Sequence, residues 1–306
     1  MSADHSTEAH SAAFLNTSQR DFWWNPDFLE LVARRLDLST VKRVLDVGAG
    51  IGHWAAALLA VLPPDATLVG LDREPRWVER AQREVQELGV GDRCRFMEGV
   101  AEQLPFEEAS FDLVSCQTLL IHVPDPTAVI VEMLRVLRPG GLLLLSEPNN
   151  LAGMLVADTV IADKPVADWV ERVEFALICE RGKAALGEGN NSIGDLLPGL
   201  LAQAGFVEVQ ASINERAWPL VPPYATADQQ ALRSMVLSMP EDAPWGWPAA
   251  DTKRYFLAGD GDPEAFERRW QLRLDEHREG RAELRAGRFH TAGGGIHYLI
   301  SARRPR

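Results

Sequence analysis

The stretch Val44-Leu45-Asp46-Val47-Gly48-Ala49-Gly50-Ile51-Gly52 joins an apolar, β-branched run to the start of a helical pattern. Glycines at such a junction let the backbone approach a ligand closely and aim the amides of a helix N-terminus at it. The spacing is GxGxG. A dinucleotide site of the GxGxxG kind needs a glycine where this chain has His53, which counts against a nicotinamide-dependent oxidoreductase. Asp46 stands near the end of the apolar run, an unusual place for a carboxylate unless it faces a site. It either touches a ligand or accepts hydrogen bonds from the loop amides. Asp72 closes the next apolar run, 68–71, where a carboxylate is placed to accept two hydrogen bonds from ribose hydroxyls. Further on, His122 and Glu147 follow two more apolar runs. An imidazole there can take a proton near neutral pH, and the carboxylate can act as a base or hold a substrate amine. The other reading of His122 is a histidine bonded to backbone ahead of a helix.

These residues need elements to bring them together. Short strands are expected at 43–47, 67–71, 94–97, 111–116 and 142–147, alternating with helices at 53–61, 75–88 and 126–137. That alternation is the pattern of repeated β-α units and a parallel sheet. Asp125 and Pro126 open the helix at 126–137 with a cap and a fixed first turn, and Arg138-Pro139-Gly140-Gly141 closes it. Ligands of such sheets bind at the carboxyl ends of the strands, where Asp46, Asp72, Gln117 to His122 and Glu147 to Asn149 all fall. Two more strands are expected at 206–213 and 296–302, separated by a long helix-rich segment. Trp218, Tyr224, Trp245, Trp247, Tyr255 and Trp270 lie there, with Trp23 and Trp24 near the start of the chain. They suit either the insertion's own core or an aromatic lid over an acceptor.

Five motifs in order and spacing resemble the class I S-adenosylmethionine-dependent methyltransferases, in particular the small-molecule branch akin to ubiquinone and menaquinone methylases. They are VLDVGAGIG at 44–52, LVGLDRE at 68–74, EGVAEQLPF at 98–106, SFDLVSCQTLLIHVPDP at 110–126 and RVLRPGGLLLLSEPN at 135–149. The resemblance implies an α/β fold, a Rossmann-like seven-stranded sheet with an antiparallel last strand, here with a helical cap inserted between the last two strands. It implies S-adenosyl-L-methionine as methyl donor, with Asp46 beside the glycine loop. Gly48, Ala49 and Gly50 would line the methionine part and Asp72 would hold the ribose. Arg73, Ala101 and Glu102 would lie at the adenine and Gln117 near the sulfonium. The chain departs from the pattern at Val100, where many relatives carry an aspartate that bonds the adenine amino group. Glu102 or a backbone carbonyl must then substitute.

The chain has 306 residues, of which 46% are apolar, so bulk disorder is excluded. A formal net charge of −13 lacks the footprint of a nucleic-acid binder, and no apolar run is long enough to span a membrane. Three cysteines without a CxxC pair argue against a structural zinc or a disulfide framework, and for the cytoplasm. No metal is expected. The division expected is a tail and helix at 1–40, with 1–13 a loose tail, the donor-binding core at 41–221, a helical insertion at 222–293, and the final strand at 294–306. The reading is a cytoplasmic enzyme that methylates a small molecule, with a homodimer through the insertion as its candidate assembly. The reading from another class is a non-catalytic S-adenosylmethionine-binding partner or sensor.

Overall fold

A computed structural model describes residues 22–244 and 246–306; the tail expected at 1–13 and Trp245 lie outside the described residues. The strands are β1 (Arg43–Val47), β2 (Thr67–Asp72), β3 (Cys94–Glu98), β4 (Phe111–Gln117), β5 (Leu137–Asn149), β6 (Val207–Ile213) and β7 (Ile296–Arg303). They form one seven-stranded sheet in the order β3-β2-β1-β4-β5-β7-β6, with β7 antiparallel to β6. The first five pair in parallel, as continuous apolar strands joined by helices must. The order reverses between β1 and β4, so the crevice beyond their carboxyl ends is the switch point at which such sheets bind ligands.

The helices of this sheet unit are α1 (Pro26–Arg35), α2 (His53–Val61), α3 (Pro75–Glu87), α4 (Pro126–Val136) and α6 (Leu197–Gln203). Helix α4 starts as its sequence demands, because the Asp125 side chain accepts from the Thr127 and Ala128 amides. It stops at Val136, one residue short of expectation, because Leu137 already pairs with Phe111. Arg304 of the chain end donates to the Leu134, Arg135 and Leu137 carbonyls and so closes that terminus. One core layer gathers Val114, Leu120, Ile130, Met133, Leu143 and Ile300; the other gathers Leu29, Val44, Trp54, Leu58, Leu68 and Leu144.

The contacts divide the chain into two compact units. The sheet unit comprises Trp24–Pro148, Ile193–Glu215 and His297–Arg306. The other takes in Asn149–Ser192 and Arg216–Ile296, and holds α5 (Val166–Ala185), α7 (Ala227–Ser238), α8 (Ala249–Ala258) and α9 (Phe266–Arg285). This grouping differs from the division read from the sequence, which kept 149–192 within a core running to 221. The difference arises because α5 buries Phe175 and Cys179 in one cluster with Trp247, Tyr255, Phe256, Phe266 and Trp270. Those aromatics form a core of their own; ring pairs such as Phe175–Phe256, centroids 5.1 Å apart, hold it.

The chain leaves and re-enters the sheet unit at neighbouring residues. A β-carbon on Gly194 would stand 2.6 Å from the Glu147 carbonyl and 2.9 Å from that of Pro148. At the second exit the Asn214 amide donates to the His297 carbonyl at 2.8 Å, and the His297 amide donates to Asn214 Oδ1 at 3.0 Å.

Candidate functional site

At the end of β1 the chain turns through Gly48, Gly50 and Gly52 with φ of 70°, 54° and 85°, a region that favours glycine. The end of β2 pins this loop. Gly48 and Ala49 amides donate to the Leu71 carbonyl at 2.7 and 3.0 Å, and the Gly50 amide donates to Asp72 Oδ2 at 2.8 Å. Asp72 Oδ1 accepts from the Glu74 amide at 3.0 Å and so also shapes the turn into α3. A carboxylate has about four acceptor positions, so both oxygens keep one for ribose hydroxyls. Burial raises the Asp72 carboxyl above its ordinary value, against these backbone bonds.

Asp46 lies in the sheet with a relative exposure of 1%, paired in register with Gly70 and Ser115. It does not orient the loop, whose amides go to Leu71 and Asp72. Neither of its carboxyl oxygens has a hydrogen-bond partner among the described residues. Burial, and then the neighbouring Asp72, push it well above the usual carboxylate range. An orphaned buried acid beside a glycine loop fits a cationic ligand, such as the amine and sulfonium of the donor.

Of the residues expected at the adenine, Ala101 is buried, while Arg73 and Glu102 are exposed. Arg73 reaches Glu74 at 3.6 Å. Val100 is also exposed and bridges to Gln103, leaving an open edge with no aspartate. Gln117 is buried at the end of β4 and donates through Nε2 to Ser146 Oγ at 3.4 Å.

Glu147 is fully buried on β5. Its Oε1 accepts from the Leu119 and Leu120 amides at 2.8 and 2.9 Å and from Cys116 Sγ at 3.4 Å. Burial pushes its carboxyl up to about 7. His122 ends the short 3-10 helix Leu120–His122, half-buried, with its amide donating to the Leu119 carbonyl at 2.9 Å. The structure therefore gathers the loop, Asp46, Asp72, Gln117 and Glu147 at the strand ends, with Glu147 held beneath the β4 turn.

Three participants escaped the sequence reading. The Leu71 carbonyl is backbone and leaves no signature. Leu119 lies on the loop, since a β-carbon on Gly48 would meet its Cδ1 at 2.7 Å. Phe96 covers Gly70, whose β-carbon would meet the ring at 2.3 Å. A glycine inside an apolar strand was the available sign of that close approach.

Comparison with known proteins agrees with this geometry. Residues 38–186 match the methyltransferase domain family. The chain is 36% identical over 132 residues to a demethylmenaquinone methyltransferase of Geobacillus kaustophilus, covering 43% of this chain and 54% of that protein. It is 40% identical over 126 residues to a ubiquinone biosynthesis O-methyltransferase of Xanthomonas oryzae, covering 41% and 51%. It thus spans about half the length of the curated relatives it matches. In fold it is similar to the YcgJ protein of Bacillus subtilis, with a TM-score of 0.52, 20% identity, and 91% and 98% of the two chains covered. Through residues 38–186, carrying the pinned glycine loop and Asp72, the chain resembles the class I S-adenosylmethionine-dependent methyltransferases, the quinone methylases among them.

Proposed function

We propose that the protein transfers a methyl group from S-adenosylmethionine to a small-molecule acceptor by in-line displacement. The observation that carries this reading is the glycine loop tied to Asp72, with spare acceptor positions on that carboxylate and the unpartnered Asp46 beside it. Gly48, Ala49 and Gly50 line the methionine part, Asp72 holds the ribose, and Ala101 with the backbone near Val100 and Glu102 borders the adenine. Arg73 flanks the adenine from the surface, and Gln117 bounds the sulfonium end. S-adenosylmethionine supplies an electrophilic methyl group; the chain supplies orientation, worth about 7–11 kcal/mol. A general base adds about 10²–10⁴-fold, roughly 3–5 kcal/mol, and in this reading His122 takes the acceptor's proton. Positioning outweighs proton removal, so an amine or thioether acceptor needs no base. Glu147 serves the site from below by holding the Leu119 and Leu120 amides. The work is cytoplasmic, on free metabolites, with the helical unit as the candidate self-association surface. Since the relatives are named for demethylmenaquinone and for ubiquinone biosynthesis, hydroxylated ring compounds are the first acceptors to assay.

The test is a metabolite screen with isotope-labelled donor, read by mass spectrometry as transfer of the label. Donor binding without transfer to any acceptor, with S-adenosylhomocysteine binding equally, would favour the sensor reading. Saturation by NADH in place of the donor would favour an oxidoreductase.

A further inference from the structure

Asp46 is enclosed by groups that give it nothing. Gly70 beside it on β2 has no side chain, and the Phe96 ring covers it. Ser115 beside it on β4 donates its hydroxyl proton to the Leu144 carbonyl at 2.6 Å and accepts from Trp54 Nε1 at 2.7 Å. The nearby amides of Gly48, Ala49 and Gly50 are taken by Leu71 and Asp72. The titratable groups that act on it are Asp72 on β2, Cys94 on β3 and Cys116 on β4, with Glu147 of β5 accepting from Cys116. Asp72 is of like sign, and burial lifts both thiols, Cys94 to about 12. An ionised carboxylate in this position is cut off from solvent and has no hydrogen-bond donor among the described residues, whereas the neutral acid forfeits only a hydroxyl's hydrogen bond.

We propose that Asp46 holds a proton in the donor-free protein and releases it when S-adenosylmethionine binds, so that a cationic donor is loaded with almost no change in net charge. The proposal rests on the donor reading above. The O–H bond of Asp46 breaks, its proton goes to solvent, and the carboxylate becomes the counter-ion of a ligand whose amine, carboxylate and sulfonium sum to one positive charge. After methyl transfer Asp46 faces a neutral thioether instead of a sulfonium. It then takes a proton back from solvent, which weakens the hold on the product.

Calorimetric titration of the whole protein with S-adenosylmethionine tests this, in buffers of equal pH, about 6.5, but different ionisation heat. The expected result is release of close to one proton per donor bound, and of a smaller fraction for S-adenosylhomocysteine. Apparent donor affinity should fall as pH is lowered, by up to about tenfold per pH unit. Asp46→Asn imitates the neutral acid in size and charge, so it should fold, bind the donor with flat pH dependence, and release no proton. Binding whose heat is independent of buffer overturns the proposal, as does proton release that persists in Asp46→Asn. Should that variant fail to fold, the wild-type pH series decides, and a flat affinity overturns the proposal. If no donor binds in any buffer, the proposed function falls and takes the proton linkage with it.

Discussion

Asp72 has two tasks, since the oxygens offered to a ribose also fix the Gly50 and Glu74 amides. Charge-assisted hydrogen bonds are worth about 1.5–3 kcal/mol each. Asp72→Ala should therefore weaken S-adenosylmethionine and S-adenosylhomocysteine by about ten- to several hundred-fold, as calorimetry would read, with the fold kept but the melting temperature lowered because the Gly50 and Glu74 amides lose their acceptor; unchanged affinity removes Asp72 from the donor site. His122→Ala should lower kcat by about 10²–10⁴-fold at nearly constant donor affinity. A loss below about threefold assigns the imidazole to packing. Glu147 makes a prediction about stability. Its folded carboxyl titrates near 7 against an ordinary 4.5, so the fold binds that proton more tightly than the open chain does. The associated stability is full below about pH 4.5 and is lost as pH rises through about 7, a term of about 3 kcal/mol. Glu147→Gln keeps an acceptor for the Leu119 and Leu120 amides and cannot ionise. Its melting temperature should gain on the wild type between about pH 5 and pH 8, and a constant difference would show that Glu147 does not titrate there. The acids were legible in the sequence because carboxylates at the ends of apolar runs conflict with their surroundings. Their division of labour was not legible: that Asp72, rather than Asp46, accepts from the loop depends on the register of β1 with β2.

Helices α5 and α8 cross at two glycines. A β-carbon on Gly182 would lie 1.7 Å from the Tyr255 carbonyl oxygen, and one on Gly259 would lie 2.0 Å from that of Ile178. The backbones thus touch where only hydrogen fits. Gly182→Ala should cost well over the ~1–3 kcal/mol of ordinary overpacking, seen as early loss of the helical unit's near-ultraviolet signal in urea. Retention of that signal at the wild-type midpoint would mean the helices can part cheaply. The strands of the sheet were legible because apolar runs bounded by glycine and proline have few other outcomes. The residues of helix α5 were read only as part of the core at 41–221. Its buried Phe175, Ala176 and Cys179 show that a face is covered, but the covering residues stand far along the chain and leave no local periodicity.

At the scale of the whole molecule the sheet unit is interrupted twice, and each interruption opens and closes at adjoining residues. Replacing 149–192 and 216–296 with short turns should leave a folded seven-stranded unit that binds S-adenosylmethionine within a few-fold of the full chain. Replacing only 222–293 should do worse, because Phe175 and Cys179 would lose Phe256, Phe266 and Trp270; a soluble product of that deletion would show that α5 does not depend on them. The seven strands and the antiparallel last one were legible through the resemblance. The second contribution to the helical unit was not, because contiguity along a chain suggests one insertion where space assembles two.

The interleaving also sets an order in time. During synthesis at about 5–20 residues per second, Phe175 leaves the ribosome roughly 80 residues ahead of Phe256. For about 4–16 s the apolar face of α5 therefore waits for a mate that has not yet been translated. Strand β5 waits longer for β7, which follows it by about 150 residues, or about 7–30 s at the same rate. Nascent chains arrested near residue 220 should accordingly crosslink to a holdase chaperone through Phe175, and released full-length chains should not.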